Sequence, residues 1–355
     1  MNIIHVAKII NAKASGIKTV LHSLIPEQIS LSNNVYLFNI YNNESKENYE
    51  YYILDYSSFK DLLEQFNPDI VIFHNIYQLK FYKMAFYLNR NSIPYLIMPH
   101  GGTSSINHKR SFIKKSLVDL FFVNRFVINS QGLIYLNKSE KELCFFKNKR
   151  KKYTIIPNGV NMPINVKSIN CNQIIKIIYL SRIHYKPKGL DLLLAAWESV
   201  VQDCDNIELH IYGNYVSSTD RELFENAISK IHNVYYHGMV TGNLKEQAYL
   251  DSDIYILLSR NEGMPMSVLE ALSYGLPCII TPTTNMSDII KYNASGWICE
   301  LNIESVYRTI SKAVNDYRKN KINLISNAKM SVVSYSWSNI AKCSIDKYES
   351  FCLNK

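Results

Sequence analysis

Short apolar runs alternate with segments of helical length along the whole chain, and this alternation constrains the fold more than any other feature. Ile3-Ile4-His5-Val6, Val35-Tyr36-Leu37-Phe38, Ile70-Val71-Ile72-Phe73 and Tyr95-Leu96-Ile97-Met98 are such runs in the first half. Ile174 to Leu180, Ile207 to Tyr212, Val234 to Tyr236, Ile254 to Leu258 and Cys278 to Thr281 repeat the scheme in the second. Runs of this length, apolar at every position, predict strands buried on both faces of a parallel sheet. Two successive series predict two doubly wound α/β domains. Pro157-Asn158-Gly159-Val160 and the Asn-, Pro- and Ser-rich Asn161 to Gln173 read as the connection, giving domains 1–165 and 166–335 with a C-terminal segment 336–355.

Several classes are excluded early. With 47% apolar and 19% charged residues in 355, the chain has material for packed cores and lacks the composition of a disordered protein. The longest apolar stretch, Leu117 to Ile128, is interrupted by Asp119, Asn124 and Arg125 and is too short to span a bilayer. The opening MNIIHVAKII has no signal-peptide organisation and reads as a first strand, so a cytoplasmic protein is expected. The seven cysteines form no C-x-x-C pair and the nine histidines no metal-type cluster; reduced thiols and no metal are expected.

The net charge of +9 is local. Residues 107–152 hold 12 basic and 3 acidic side chains, equal to the whole excess. His108-Lys109-Arg110-Ser111-Phe112-Ile113-Lys114-Lys115 opens this region, and Lys147, Lys149, Arg150, Lys151 and Lys152 close it. Cations interleaved with apolar residues suit an anionic membrane surface; a solvated helix face is the equal alternative. No nucleic-acid-binding motif accompanies the patch, and no nucleic-acid partner is expected.

Ala14-Ser15-Gly16 follows the first strand with one glycine, where the dinucleotide fingerprint needs three. After Ile174 to Leu180 come Arg182, Lys186 and Lys188-Gly189-Leu190-Asp191. An arginine at a strand end and a lysine before a helix-starting glycine can grip a diphosphate from two sides, or be surface charge around a loop. After Ile254 to Leu258 comes Glu262-Gly263-Met264-Pro265-Met266-Ser267-Val268-Leu269-Glu270, at the carboxyl edge of a sheet where α/β folds bind ligands. The helix beginning there points free N–H groups at a phosphate. Ser267-x-x-Glu270 reads as a capping box, whereas Glu262 lies ahead of it and suits a sugar hydroxyl.

With these residues the chain resembles the family 4 glycosyltransferases of the GT-B fold over nearly all its length. Glu262 to Glu270 matches that family's E-x7-E motif, Arg182 with Lys188-Gly189 its R…K-G element, Pro157 to Val160 its P-N-G-V element, and His100-Gly101 its H-G position. Ser336-Trp337 and the segment after it resemble the helix that crosses back to the N-terminal domain. The resemblance implies two Rossmann-like domains facing a central cleft. It implies a retaining transfer of a hexose or N-acetylhexosamine from a UDP- or GDP-sugar, without metal or other cofactor, to a glycan acceptor. Catalytic roles fall on His100, Glu262, Arg182 and Lys188, and donor binding on Gly16, Gly213, Gly263, Met264, Pro265, Met266, Ser267 and Glu270. His74 is an acceptor-side candidate. Asp251-Ser252-Asp253, which looks like a metal motif, falls on an ordinary pre-strand segment of this family. The basic 107–152 region then points to a lipid-linked acceptor at the inner face of the plasma membrane, in O-antigen or capsule assembly. A nucleotide-sugar epimerase of the same fold and a non-catalytic nucleotide-sugar-binding protein are the rival readings.

Overall fold

A computed structural model describes residues 1–9, 16–41, 52–53, 57–102, 122–149, 152–165 and 174–353. The chain divides into an N-terminal unit, Met1–Gly159 with Trp337–Lys355, and a C-terminal unit, Val160–Ser336. Val160 pairs as an isolated parallel bridge with Ser336, and its N–H donates to the Tyr335 carbonyl, so the division falls at Gly159–Val160. The sequence reading sets the hinge after Pro157–Val160 and draws the domain bounds at 165 and 166, inside the linker-like segment that follows.

The N-terminal unit contains β1 (Asn2–Ala7), α1 (Gly16–Ser30), β2 (Asn34–Asn39), β3 (Tyr52–Ile53), α2 (Ser57–Phe66), β4 (Ile70–His74), α3 (Leu79–Arg90), β5 (Tyr95–Met98), α4 (Asn124–Asn129), β6 (Gly132–Tyr135), α5 (Lys138–Leu143) and β7 (Tyr153–Ile155). Its sheet order is β3-β2-β1-β4-β5-β6-β7, all neighbours parallel. The order reverses between β1 and β4, and the β1, β4 and β5 ends there carry the Gly16 loop, His74 and His100. One face buries Ile4, Val6, Phe73, Phe81, Tyr95 and Phe126, with the last three rings 5.0–5.5 Å from Phe73. The other face takes His5.

The C-terminal unit contains β8 (Ile175–Leu180), α6 (Leu190–Asp203), β9 (Ile207–Tyr212), α7 (Ser218–Ile228), β10 (Val234–Tyr236), α8 (Gly242–Leu250), β11 (Ile254–Leu257), α9 (Met266–Ser273), β12 (Cys278–Ile280), α10 (Ser287–Tyr292), β13 (Gly296–Ile298) and α11 (Ile303–Met330). The order β10-β9-β8-β11-β12-β13 is again parallel throughout and reverses between β8 and β11. The Arg182 and Glu262 loops leave those two strands at the reversal, where strand ends diverge and leave a crevice.

The last helix, α12 (Trp337–Cys352), belongs to the N-terminal unit and packs on α1. Two glycines make room for it. A Cβ on Gly159 would lie 2.5 Å from the Trp337 ring, and one on Gly132 would lie 2.5 Å from the Phe351 ring. No described helix is long and apolar enough to cross a membrane. The described cysteines are free thiols, and no group of three metal-ligating side chains occurs among the described residues. Much of the basic 107–152 region, residues 107–121 and 150–151, lies outside the described residues, as do Ala14 and Ser15.

Candidate active site

In the C-terminal unit the loop after β8 is pinned before it reaches Lys188. The Ile183 N–H donates to the Asn214 carbonyl, and the Val216 N–H donates back to Ile183. Gly189 then starts α6 at φ +72°, and a Cβ there would lie 2.1 Å from the Leu258 carbonyl oxygen. Only glycine allows the start of α6 to press against the end of β11 in this conformation.

That approach brings Lys188 to the β11 loop. Lys188 Nζ lies 2.5 Å from Glu262 Oε1, which also accepts from the Ser259 hydroxyl at 2.7 Å. Glu262 is fixed through its backbone as well: its N–H donates to the Thr283 carbonyl, and Asn285 Nδ2 donates to its carbonyl at 2.6 Å. Lys186 is exposed, and its carbonyl accepts from Arg260 and the Gly189 N–H. Of the two lysines, Lys188 is the one that the fold turns to the Glu262 carboxylate. Arg182 is exposed, and its guanidinium has no hydrogen bond or ion pair among the described residues.

Sequence reasoning passed over Arg260 and Asp191. Arg260 grips the Asp191 carboxylate with two nitrogens at 2.7 and 2.8 Å, tying the Glu262 loop to the first turn of α6. A bidentate pair of this kind fixes orientation as well as distance. The only sequence signal was an acid in a helix's first turn and an arginine in a loop, which is too common to stand out.

The Ser267–Glu270 capping box expected from the sequence does not form. Pro265 occupies the N-cap of α9, so Ser267 is already inside the helix and its hydroxyl accepts from Tyr255 at 2.7 Å. Glu270 turns instead to α8, where it accepts from Lys245 Nζ at 2.6 Å and the Tyr249 hydroxyl at 3.0 Å. The first N–H groups of α9, on Met266 and Ser267, have no earlier helical carbonyl to bond and form the positive end of the helix. Gly263 and the buried Met264 shape the turn leading into it.

Gly213 closes the neighbouring rim. A Cβ on it would lie 1.9 Å from the Ser181 carbonyl, and its N–H donates to the Gly238 carbonyl at 2.8 Å. Asp253, in the Asp251-Ser252-Asp253 segment, has a structural place. It accepts from the Lys176 N–H and the Tyr317 hydroxyl, bonds that join the sheet to α11.

In the N-terminal unit His100 ends the β5 run at φ +53°, followed by Gly101 at φ +74°. A non-glycine residue there is strained and needs outside support. Glu140, buried on α5, supplies it: its carboxylate accepts from the Gly101 and Leu136 N–H groups, both at 2.5 Å. Burial pushes the Glu140 pKa up, opposed by those two amides. His100 Nε2 lies 2.8 Å from His74 Nδ1, and His74 Nε2 lies 2.8 Å from His5 Nδ1. Burial lowers all three, His5 and His100 to about 4. His74 is 0% exposed with both ring nitrogens taken, so it has nothing to offer an acceptor, contrary to expectation. His5 was passed over, although a histidine inside the apolar run Ile3-Ile4-His5-Val6 demands a buried partner. Gly16 is exposed at the start of α1, and no atom of the described residues lies within 4 Å of where a Cβ on it would stand.

Residues 167–331 match the model of the family described as glycosyl transferases group 1. An uncharacterized glycosyltransferase of Methanocaldococcus jannaschii is 27% identical over 61% of this chain and 59% of its own length. A UDP-Gal:alpha-D-GlcNAc-diphosphoundecaprenol alpha-1,3-galactosyltransferase of Escherichia coli is 28% identical over 55% of each. The chain thus spans under two thirds of the length of these curated relatives. A glycosyltransferase structure from Rickettsia africae aligns with a TM-score of 0.79 over 100% of both chains at 15% identity. A lipopolysaccharide outer core galactosyltransferase aligns at 0.73 over 99% of both at 16% identity. These likenesses show the two-domain, Rossmann-like GT-B fold.

Proposed function

We propose that this chain is a glycosyltransferase. The observation that supports the reading is the Lys188–Glu262 pair on the two loops that leave β8 and β11, where the C-terminal sheet reverses order, with Arg182 on the first of these loops and α9 starting just after the second. Two cations and a helix end suit a nucleoside diphosphate, and a carboxylate among them suits a sugar or ribose hydroxyl. The match to the glycosyl transferases group 1 model over this unit supports the same assignment.

In finer terms, the donor is a UDP- or GDP-sugar and the group moved a hexose or N-acetylhexosamine. The bond between the anomeric carbon and the diphosphate oxygen breaks. The acceptor oxygen bonds that carbon on the same face, and its proton goes to the leaving phosphate, so configuration is retained without a protein nucleophile. Arg182, Lys188 and the Met266 and Ser267 amides stabilise the charge growing on the diphosphate, the part a metal plays elsewhere. His100 is assigned to the transferred sugar, Glu270 and the Gly213 rim to the nucleoside. The transfer is read as metal-independent; the carboxylate of Asp253 serves sheet and helix bonds.

A lipid-linked glycan at an anionic membrane surface, in O-antigen or capsule assembly on the cytoplasmic side, is the proposed acceptor. The E. coli relative named above acts on a diphosphoundecaprenol substrate, which supports this. So does a depression of about 1130 Å³ on the N-terminal unit, lined by Lys60, Lys83, Arg90 and Arg125 with Phe86 and Phe122. Lys60, Lys83 and Arg90 come from α2 and α3, outside the 107–152 run, and Arg125 from α4 within it.

Melting curves with UDP, GDP, ADP and CMP, with and without Mg²⁺, test the core of the reading. Ligand at 100 times its Kd adds ~2.7 kcal/mol. A metal-independent shift with one nucleoside diphosphate is expected; no shift with any of them sinks the proposal. Vesicle sedimentation with no preference for anionic over neutral lipid sinks the membrane part alone.

A further inference from the structure

His5, His74 and His100 belong to a longer file that the transfer reaction does not itself require. His5 and His74 lie on one face of the sheet: His5 pairs in register with Ile72, two residues before His74. Their rings are 5.1 Å apart, as are those of His74 and His100. Beyond His5 the file continues. His5 Nε2 lies 2.9 Å from Gln28 Oε1 on α1, Gln28 Nε2 donates to the Ser344 hydroxyl on α12 at 2.8 Å, and that hydroxyl donates to the Ala341 carbonyl at 2.7 Å. His5, His74, Gln28 and Ser344 are all 0% exposed.

A file of this kind has a direction. The Ser344 hydroxyl spends its one proton on Ala341, so toward Gln28 it can only accept. The Gln28 amide therefore turns its nitrogen to Ser344 and its oxygen to His5. An amide oxygen only accepts, so His5 carries its proton on Nε2 and presents a bare Nδ1. His74 must then donate from Nε2 to His5 and present a bare Nδ1 to His100. His100 in turn donates from Nε2. Each neutral imidazole has one donor and one acceptor nitrogen, and which is which is set by the bond at the other end.

We infer that His5, His74 and Gln28 are positioning residues that lock His100 as its Nε2–H tautomer, leaving Nδ1 as an acceptor that selects a ligand hydroxyl and rejects a phosphate oxygen. Because the file ends on an amide, which takes up no proton at neutral pH, it orients His100 and does not conduct protons. The inference rests on the proposed function only in naming that hydroxyl as one of the transferred sugar.

Long-range ¹H–¹⁵N correlation spectra of the ¹⁵N-histidine-labelled full chain at pH 7.5 read the tautomers directly, with peaks assigned from single His→Gln variants. Protonated Nε2 and bare Nδ1 on His5, His74 and His100 are expected. A protonated Nδ1 on His74 or His100 overturns the inference, whether or not the protein transfers sugar. If the spectra agree and no transfer is found, the file stands and the proposed function fails. Kinetics add a second readout. Gln28→Leu removes the acceptor, and kcat should fall roughly tenfold, the size of one lost hydrogen bond, with nucleoside diphosphate Kd within about twofold. Gln28→Glu keeps an acceptor oxygen and should restore most of kcat; equal loss in both variants marks Gln28 as merely structural and overturns its role. Should Gln28→Leu fail to fold, the wild-type spectrum decides alone.

Discussion

Removing Lys188 strands a carboxylate, and the size of the effect can be bounded. Lys188 Nζ and Glu262 Oε1 are 2.5 Å apart, and the two side chains keep 14% and 18% of their exposure. Such a pair lies between exposed pairs, worth ~0.2–1 kcal/mol, and fully buried ones, where loss of one partner costs ~3–5 kcal/mol. In Lys188→Ala the Glu262 carboxylate keeps the Ser259 hydroxyl at 2.7 Å as its side-chain donor. The intermediate burial and that surviving bond put the loss at about 2 kcal/mol. For a domain of this size the melting point of the C-terminal unit should drop ~4–8 °C. Adding Glu262→Gln removes the stranded charge, so the double variant should recover about half of the loss. Thermal scans of wild type, both single variants and the double variant, at low ionic strength and pH 7.5, complete the cycle. If the single effects add within ~0.5 kcal/mol, the side chains do not interact and the geometry argued for this site is wrong.

Other consequences are open to the same treatment. Arg182→Ala should leave the ligand-free melting point unchanged, since the guanidinium has no partner among the described residues to lose, yet weaken nucleoside diphosphate binding by roughly 10–100-fold, the loss of a charge-assisted bond measured by calorimetry; a stability loss with intact binding would reverse its assignment. Gly189→Ala forces a Cβ to within 2.1 Å of the Leu258 carbonyl at φ +72°, and should destabilise the C-terminal unit by roughly 2–4 kcal/mol in thermal scans. The histidine file makes the N-terminal unit acid-sensitive. His5 sits at about 4 when folded and ~6.5 when unfolded, so its contribution is complete above pH ~6.5. It is lost as pH falls toward 4, where the unfolded chain binds a proton that the folded chain refuses, at up to ~1.4 kcal/mol per pH unit. His74 and His100 shift the same way, and the other groups against His5 are Gln28 and Tyr348. His5→Gln should flatten the melting point against pH between 6.5 and 4.5; an unchanged slope refutes the assignment.

The central strands of both sheets were legible because burial on both faces leaves an uninterrupted apolar run, as in Ile70-Val71-Ile72-Phe73. Strands that escaped notice lack that signature. β13, Gly296-Trp297-Ile298, lies at an edge and is only half-buried, and β7, Tyr153-Thr154-Ile155, has a polar centre and an exposed start. β6 begins at Gly132, a glycine kept for the Phe351 ring far along the chain. At the site, the loops that bring Lys188 to Glu262 could be read from where the strands before them end. Glu140 and Gln28 could not, because their partners lie on other elements: Gly101 for one, His5 and Ser344 for the other. Local sequence records an element's own burial and caps, and is silent on which distant backbone group a side chain reaches.

The return of α12 to the first sheet bears on how the protein is made. Ser344 and Phe351 leave the ribosome only after the whole C-terminal unit, yet they complete the face that carries Gln28 and adjoins Gly132. At ~5–20 residues per second, synthesis of Val160–Ser336 takes roughly 10–35 s. Throughout that interval the N-terminal unit waits unfinished, its α1 flank uncovered, while the unit translated later has everything it needs to fold. Nascent chains should therefore acquire protease resistance in the C-terminal unit first. A premature stop just before Trp337 would cripple the unit that was translated first.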